Sequence, residues 1–371
     1  MSPGQPASAE PEAIPGQLAL PGMPSPDGVA DGQATLPGLE RAGLERAGLA
    51  RAGAELAGLA RPGADGRGAD DGELTAVAAE LGALDGDGSR MAAAIRGALD
   101  MLLDGQHTGR YRWDQLHKTE KTHAGTLVEI ALARVLRLAD GVTLDYTIAG
   151  ADVDCKFSHR RGGWMIPPEA EGKLLLLVQA SDQDGTWSAG LVRAVPGHLT
   201  AAGNRDGKRA LNERGRAAVR WLHARAPLGE NALIRLPSSD VAAIFAAGSG
   251  QQRVNELFRR AQRMRVSRTV VATVAMQDDY MKRVRGGGGA RDQLRDEGIV
   301  IFGDYAGDQM LATALGLPRP GPGEFVSARL APVARRPDGP GDYPRAIRLA
   351  GADWRLAAAA DPAGPAPALP R

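Results

Sequence analysis

Residues 142–158 read VTLDYTIAGADVDCKFS, and the predicted architecture of the chain is built around them. Two short segments of strand-forming residues, 142–148 and 152–158, flank the turn residues Ala149-Gly150-Ala151, which predicts a β-hairpin. The run KLLLLVQAS at 173–181 is continuously apolar and of strand length, so we expect a buried central strand there. The next segment, TWSAGLVRAV at 186–195, predicts its neighbour. The hairpin and these two strands predict one sheet.

Helical patterns surround these strands. ELTAVAAELGAL from Glu73 and SRMAAAIRGALDMLL at 89–103 predict two helices, the second with an apolar face. A third helix is expected from about Glu120 to Leu138, leading into the hairpin. GKRALNERGRAAVRWLHARA at 207–226 predicts a basic helix. The fold class is therefore α/β.

A helix-rich region follows a boundary that we place near residue 236. ALIRLP at 232–237 predicts a last short strand, and SSDVAAIFAA predicts a helix with a Ser cap. Further helices are expected at 251–264, 266–285 and 290–298, before a short strand IVIFGD at 299–304. The predicted folded domains are residues 73–236 and 237–356.

Both chain ends have a composition typical of disorder. Residues 1–72 are rich in Pro, Gly and Ala and contain a five-residue repeat at 39–63, LERAG-LERAG-LARAG-AELAG-LARPG. A period of five places the repeated Leu residues around a helix rather than along one face, which favours a low-complexity extension over a docking helix. The tail at 357–371, AAAADPAGPAPALPR, is also expected to be disordered.

Composition excludes several classes of protein. The net charge of +1 hides an uneven distribution: residues 1–110 hold 8 Arg, no Lys and 16 acidic residues, a net charge of −8. The remaining 261 residues carry a net charge of +9, which permits a polyanionic partner. The single Cys excludes an internal disulfide, and no zinc-finger spacing is present. Short apolar runs and no visible secretory signal lead us to expect a cytoplasmic protein without a membrane partner.

The strongest chemical signal lies on the second hairpin strand. Side chains alternate along a strand, so Asp154 and Lys156 share one face and Cys155 points to the other. Asp145 on the partner strand and Glu129 on the preceding helix bring two more carboxylates to the same region. Hard oxygen ligands beside a Lys suit Mg²⁺ and phosphate chemistry. A solvated charged face is the alternative for the Asp-x-Lys triplet, and a small core residue is the favoured interpretation of Cys155.

This spacing, Asp-x₈-Asp-x-Lys after a helical Glu, resembles the PD-(D/E)xK nuclease core. The chain is more specifically similar to the NaeI-type (type IIE) restriction endonucleases over roughly residues 75–350. The resemblance rests on DVDCK at 152–156, WMIPPEAEGKLLLLV at 164–178 and GNRDGKRALNERGRAAVRWL at 203–222. It continues in QQRVNELFRRAQ at 251–262, QDDYMKR at 277–283 and EGIVIFGD at 297–304. GGGGA at 286–290 and the N-terminal extension fall outside the pattern.

The resemblance implies a mixed-sheet nuclease domain and a C-terminal domain with a catabolite-activator-like helix-turn-helix. It implies a catalytic set of Glu129, Asp145, Asp154 and Lys156, with Mg²⁺ held by Asp145, Asp154, Glu129 and the carbonyl of Cys155. Such enzymes are homodimers that bind two copies of a palindromic site on double-stranded DNA, such as GCCGGC. No organic cofactor is expected.

Basic residues provide candidate DNA contacts in both domains. Arg160 and Arg161 lie just after the predicted strand 152–158, which carries Asp154 and Lys156. Lys208 and Arg209 belong to the predicted basic helix. The densest cluster lies in the second domain. From it we select Arg259, Arg263, Arg268, Lys282, Arg283 and Arg285 as candidates. Ordinary surface charge is the alternative for about half of these residues.

Three functions are compatible with the sequence. The leading hypothesis is a Mg²⁺-dependent, sequence-specific DNA endonuclease that leaves 5′-phosphate ends. The second is a DNA-binding regulator with a vestigial nuclease core, which the four competent residues at the catalytic positions disfavour. The third is a structure-selective repair nuclease, which the basic second domain disfavours.

Overall fold

The computed structural model describes residues 71–333, 335–336, 339–340 and 345–370. The expected N-terminal extension at 1–72 therefore lies outside the described residues, apart from Asp71 and Gly72. Asp71 caps the first helix, α1 (Gly72–Leu84), where its carboxylate accepts a hydrogen bond from the backbone N of Leu74. An ion pair of 2.7 Å between Asp71 Oδ2 and Arg193 Nε attaches this helix start to the sheet.

Helices α2 (Ser89–Leu103), α3 (Gly105–Thr108) and α4 (Lys118–Leu136) follow. The apolar face expected on α2 is buried: Met91, Ile95, Leu99 and Leu102 all lie in hydrophobic clusters. Helix α4 ends at the left-handed residue Arg137, close to the predicted end. The three helices expected before the hairpin are therefore confirmed.

A six-stranded mixed sheet forms the centre of the first half. Its strands lie side by side in chain order: β1 (Ala139–Asp140), β2 (Tyr146–Ile148), β3 (Ala151–Ser158), β4 (Leu174–Ser181), β5 (Thr186–Arg193) and β6 (Arg220–Pro227). Only the pair β3–β4 is parallel. The predicted hairpin, central strand and neighbouring strand are present, although residues 142–145 form a loop rather than the start of β2.

The two faces of this sheet pack against different layers. Val153, Cys155 and Leu176 share a buried cluster with residues of α1, α2 and α4. Leu175 and Leu177 point the other way, into a cluster that includes Trp164 and Leu211 from the connections 159–173 and 194–219. Because β3 pairs with β4 in parallel, Asp154 lies beside Leu175 and Lys156 beside Leu177. The two charged residues therefore lie on the second face.

Two expected elements are wrong. The segment 207–226 is not one basic helix: it contains the short helix α5 (Glu213–Ala217) and the edge strand β6. The segment 232–237 is not a strand, because Asn231 caps the one-turn helix α6 (Ala232–Arg235). In β6, pairing with β5 overrides the helix preference of its Ala and Arg residues.

The second half begins with helices α7 (Ser238–Ala246) and α8 (Gly250–Arg260). Pro237 rather than a Ser occupies the N-cap of α7. The expected helix at 266–285 is shorter than predicted, since strand β7 (Arg265–Ser267) is followed by α9 (Arg268–Ala275), which ends at left-handed Met276. The next elements are a 3₁₀ turn at Tyr280–Arg283, α10 (Ala290–Gln293), β8 (Ile299–Phe302) and α11 (Ala306–Ala314).

Strand β9 (Glu324–Pro332) organises the second sheet. It pairs with β7, with β8 and with β13 (Ala352–Leu356), which pairs in turn with β12 (Ala346–Leu349). Two-residue strands β10 (Arg335–Arg336) and β11 (Gly339–Pro340) form a separate ladder. Residues 357–370, which the sequence predicts to be a loose tail, lie against this sheet, and Ala366 is buried in its hydrophobic cluster.

Candidate active site

The hairpin brings two carboxylates together. Tyr146 pairs with Val153, so Asp145, immediately before β2, lies opposite Asp154 on β3. The backbone N of Cys155 donates a hydrogen bond of 2.6 Å to Asp145 Oδ2. This bond fixes Asp145 against the strand that carries Asp154, which agrees with the predicted register.

Lys156 joins the two carboxylates. Its ammonium lies 2.6 Å from Asp154 Oδ1, 3.1 Å from the carbonyl oxygen of Cys155 and 3.9 Å from Asp145 Oδ2. Two hydrogen-bond acceptors and a second carboxylate thus surround one ammonium group. The Lys156 side chain keeps 23% of its surface exposed.

Asp154 is the most buried charged group of the site. Its side chain is 6% exposed, and burial raises its pKa to about 6 despite the neighbouring Lys156. Its second oxygen, Oδ2, is buried and has no hydrogen-bond partner among the described residues. A carboxylate oxygen in this state is costly unless a further positive group binds it. The donor set fits a divalent cation such as Mg²⁺, which is commonly held by one or two carboxylates and waters.

Glu129 lies on the helix that leads into the hairpin, as expected. Burial raises the pKa of its carboxyl group, and the negative charge of Asp145 adds to this effect. Among the described residues, however, no three His, Cys, Asp or Glu side chains are grouped closely enough to form a metal site on their own. The structure therefore brings Asp145, Asp154 and Lys156 together directly and places Glu129 within electrostatic range.

Cys155 contributes its backbone rather than its thiol. The side chain belongs to the core cluster on the opposite face of the sheet. Burial raises the pKa of the thiol to about 12, so the thiolate that a nucleophile needs is not populated at neutral pH. Its carbonyl oxygen, by contrast, faces the Lys156 ammonium. This geometry agrees with a core side chain and leaves the carbonyl as the candidate oxygen ligand.

Two residues near the site were not assigned a role from sequence. The hydroxyl of Tyr146 donates a hydrogen bond of 2.8 Å to the backbone carbonyl of Glu129, which ties α4 to β2. Asp152 accepts hydrogen bonds from the loop that precedes Asp145. Alternation on the strand was a usable signal for Asp152, because it shares a face with Asp154 and Lys156. No sequence signal identifies the Tyr146 contact.

Exposed cations lie in the segments that follow the strand of Asp154 and Lys156 and pair with its connection. Arg160 and Arg161 are exposed directly after β3. The backbone of Ile166 pairs with Arg209, which brings the segment around Lys208 beside this loop. Arg209 itself forms an ion pair with Glu171, whereas Lys208 is exposed. We refer to Arg160, Arg161 and Lys208 as the basic rim.

The candidate DNA contacts of the second half fall into two groups. Arg259 bonds Glu297 and Glu256, and Arg283 bonds Asp279, so both guanidinium groups are paired within the protein. The other four are exposed: Arg263, Arg268, Lys282 and Arg285. Two of them also have a partner, since Arg263 donates to the carbonyl oxygen of Ala357 and the Lys282 ammonium lies 3.9 Å from the Asp279 carboxylate. The structure does not bring these residues to the site around Asp154.

Comparison with known proteins identifies the family of this chain. A family model described as restriction endonuclease NaeI matches residues 75–365, a range that contains the two carboxylates, Lys156 and Glu129. The chain is also similar to the type II restriction enzyme NaeI of Lentzea aerocolonigenes. The two are 49% identical over 310 residues, which cover 81% of this chain and 95% of that relative.

Proposed function

This chain belongs to the NaeI restriction endonuclease family and is a type II site-specific deoxyribonuclease, and from this we propose that it cuts DNA at an active site formed by Asp145, Asp154 and Lys156, with Mg²⁺ as the metal ion. The observation that carries the proposal is the buried Asp154 carboxylate, which binds the Lys156 ammonium through one oxygen and has a second, unpartnered oxygen. Asp145 and the Cys155 carbonyl complete the proposed metal ligands. Glu129 would support them.

The residues have separate roles in hydrolysis. When bound, Mg²⁺ supplies positive charge that offsets the charge developing on the phosphate. Lys156 orients the attacking water and stabilises negative charge on the phosphate oxygens, because its ammonium is held by two hydrogen bonds beside both carboxylates. Attack in line breaks the bond from phosphorus to the 3′ oxygen and leaves a 5′-phosphate end. Glu129, with its raised pKa, holds a proton more readily than an exposed carboxyl group.

The basic rim would hold the DNA backbone at the catalytic face. Arg160 and Arg161 lie two and three residues beyond the end of the strand that carries Asp154 and Lys156, so phosphates bound there remain close to the catalytic groups. Arg209 is less suited to this role, because Glu171 already neutralises it. We therefore assign backbone contacts to Arg160, Arg161 and Lys208.

We further propose that the second half binds a second copy of the site. Strand β7, helix α9, the segment 277–297 and the antiparallel strands β8 and β9 follow one another along the chain. Where a helix-turn-helix would carry its second helix, the segment 277–297 contains the 3₁₀ turn Tyr280–Arg283 and the four-residue α10. Val270 through Ala275 are buried, as expected of the first helix of such a motif. The exposed Lys282 and Arg285 lie in the following segment, which would enter the major groove. A homodimer on palindromic G/C-rich sites, such as GCCGGC, completes this proposal.

Plasmids with zero, one or two GCCGGC sites test the proposal when incubated with protein and Mg²⁺. Fast cutting of the two-site plasmid, slow cutting of the one-site plasmid and no cutting of the third are expected. Cutting at another sequence would retain the endonuclease and reject this site. Equal cutting of one-site and two-site plasmids would reject the second-site role.

The Lys156→Ala variant tests the catalytic assignment. We expect cleavage to fall by about 100- to 1,000-fold, with DNA binding by gel shift unchanged, because the variant loses a charge that acts mainly in the transition state. Lys173→Ala is the matched control, since Lys173 is exposed just before β4 and should leave cleavage intact. Wild-type rates in Lys156→Ala would overturn the assignment. Binding without cleavage by the wild type would favour a regulator, and cutting confined to mismatched or branched DNA would favour a repair nuclease.

A further inference from the structure

The loop that leads into Asp145 is organised by one carboxylate. Asp152 Oδ1 accepts hydrogen bonds from the backbone N of Val142 at 3.0 Å and of Leu144 at 3.4 Å. Its Oδ2 accepts a bond of 3.2 Å from the backbone N of Thr143 and another from the Thr143 hydroxyl. Both oxygens of Asp152 are therefore used within residues 142–144.

Hydrophobic packing does not hold this loop. Val142 at its tip is 89% exposed, so its side chain gains almost nothing from burial. Gly141 at the loop start has no room for a side chain, because a Cβ atom there would lie 2.2 Å from the carbonyl oxygen of Leu144 and 2.7 Å from Asp152 Oδ1. The loop conformation thus depends on close approach to Asp152 and on its hydrogen bonds.

The loop closes on the metal-binding carboxylate. The backbone N of Gly141 donates to the carbonyl oxygen of Asp145 at 3.3 Å, so Asp145 is the last residue of the turn. On its other side Asp145 is held by the bond from Cys155 N to its side chain, by the Lys156 ammonium at 3.9 Å and by the β2–β3 ladder that starts at Tyr146. Release of residues 142–144 would therefore loosen the backbone of Asp145.

We propose that Asp152 is a positioning residue for the metal site: it holds the 142–144 loop and through it sets the place of Asp145 opposite Asp154. The proposal rests on the assignment of Asp145 and Asp154 as metal ligands made above. Partners that orient a ligating carboxylate typically change metal affinity by about 10- to 100-fold when they are removed. Asp152 does not itself touch DNA or the reacting atoms in this proposal.

Mn²⁺ binding to the full chain without DNA provides a readout that is independent of cleavage. The free Mn²⁺ signal in electron paramagnetic resonance gives the affinity of wild type and variants directly. Asp152→Asn should bind Mn²⁺ about 10-fold more weakly, because an amide offers one acceptor oxygen and directs its NH₂ group at backbone donors. Thr143→Val, which removes only the hydroxyl bond, should show a smaller decrease in the same direction.

Three further variants separate positioning from charge and from general damage. Asp152→Glu keeps the negative charge but moves the carboxylate by one methylene, so it should remain weak. Asp87→Asn is the matched control, since Asp87 is another exposed Asp that accepts a backbone hydrogen bond, from Ser89 N, far along the chain from the site. Asp154→Asn removes a proposed ligand, so the Mn²⁺ that binds to wild type but not to this variant is the Mn²⁺ at the proposed site.

Each outcome decides the question. Wild-type Mn²⁺ affinity in Asp152→Asn would overturn the positioning role and leave the metal assignment intact. Full affinity in Asp152→Glu would show a charge effect alone and would also overturn it. If wild-type binding does not depend on Asp154, the metal assignment itself fails, and the role of Asp152 is overturned with it.

Discussion

Asp154 is a residue whose burial is unfavourable for folding and which we propose as a metal ligand. Its carboxyl group is nearly excluded from solvent, and burial outweighs the attraction of Lys156, so its pKa rises to about 6. Without a cation, ionisation of Asp154 therefore costs more free energy in the folded protein than in the unfolded chain. A site that binds Mg²⁺ benefits from this arrangement, because a buried carboxylate with an unpartnered oxygen gains more from a cation than an exposed one.

Asp154→Asn should accordingly stabilise the metal-free protein at alkaline pH. A carboxyl group whose folded pKa is raised contributes stability that is present below the unfolded pKa of 3.8 and is lost as pH rises through about 6. The Asn variant lacks this loss, so its free energy of unfolding in EDTA at pH 8 should exceed that of wild type, by an amount on the order of 1 kcal/mol. Near pH 4 the two proteins should be equal, as measured by urea unfolding.

Asp87→Asn supplies a control of opposite sign. The backbone hydrogen bond from Ser89 lowers the pKa of Asp87, so this variant should be less stable than wild type at pH 8 and equal to it at low pH. If Asp154→Asn instead lost stability at pH 8, the ion pair with Lys156 would outweigh burial. The cation would then not be needed to explain the site.

Local sequence was sufficient to predict how the proposed catalytic residues are placed on the hairpin, but not the contacts that position them. Strand alternation placed Asp154 and Lys156 on one face and Cys155 in the core, and the hairpin register placed Asp145 opposite Asp154. Asp152 was left without a role, although alternation places it on the same face as Asp154 and Lys156. The Tyr146 contact was missed because its partner is a backbone carbonyl of another segment. Every residue has a backbone carbonyl oxygen, so the residue type does not indicate which carbonyl accepts a hydrogen bond from a side chain.

In the second half, an arginine on α8 is paired with carboxylates, whereas an arginine in the segment after α9 is exposed. Arg259 on α8 is bound by Glu256 and Glu297, which raises its pKa and joins α8 to the residues before β8. Arg285 is exposed and makes no ion pair with any residue that the structure describes. We therefore expect Arg259 to stabilise the fold and Arg285 to contact the DNA backbone.

Salt dependence of DNA binding distinguishes the two roles. Arg285→Ala should lower the slope of log affinity against log salt by about 1 and leave the melting temperature unchanged, because one phosphate contact is lost. Arg259→Ala should leave that slope unchanged and reduce stability by about 1 kcal/mol. The reverse pattern in fluorescence anisotropy and thermal unfolding would place α8, rather than the segment after α9, at the DNA.

Element type was predictable where the apolar pattern was long and continuous, as in α2, β4 and β5. Strand β6 was predicted as helix because Ala and Arg are helix-forming residues and its apolar positions are few. Its pairing with β5 and its exposed charged residues are typical of an edge strand, where the neighbouring strand decides the conformation. The local sequence of β6 does not indicate that it will pair with β5.

The described chain is held together at its C-terminal end by a segment that the composition does not identify as ordered. Arg329 on β9 donates to the carbonyl oxygens of Ala358, Asp361 and Pro362, and Arg355 on β13 forms an ion pair with Asp361. The backbone N of Ala366 then bonds the carbonyl of Arg295, just before β8. A tail that is poor in large apolar residues is thus fixed mainly through arginine side chains and backbone groups.

Two neighbouring alanines test whether this tail is part of the folded protein in solution. Ala366 is 3% exposed and packs with the second sheet, whereas Ala363 is exposed. Ala366→Arg should lower the free energy of unfolding by about 1–3 kcal/mol, because the larger side chain must displace the tail or distort its cluster. Ala363→Arg should change it by less than about 0.5 kcal/mol. The two variants add the same charge to the same segment, so urea unfolding compares packing alone. Equal stabilities would return residues 357–371 to the loose tail that their composition predicts. A selective loss in Ala366→Arg would instead extend the second folded region to the end of the described chain.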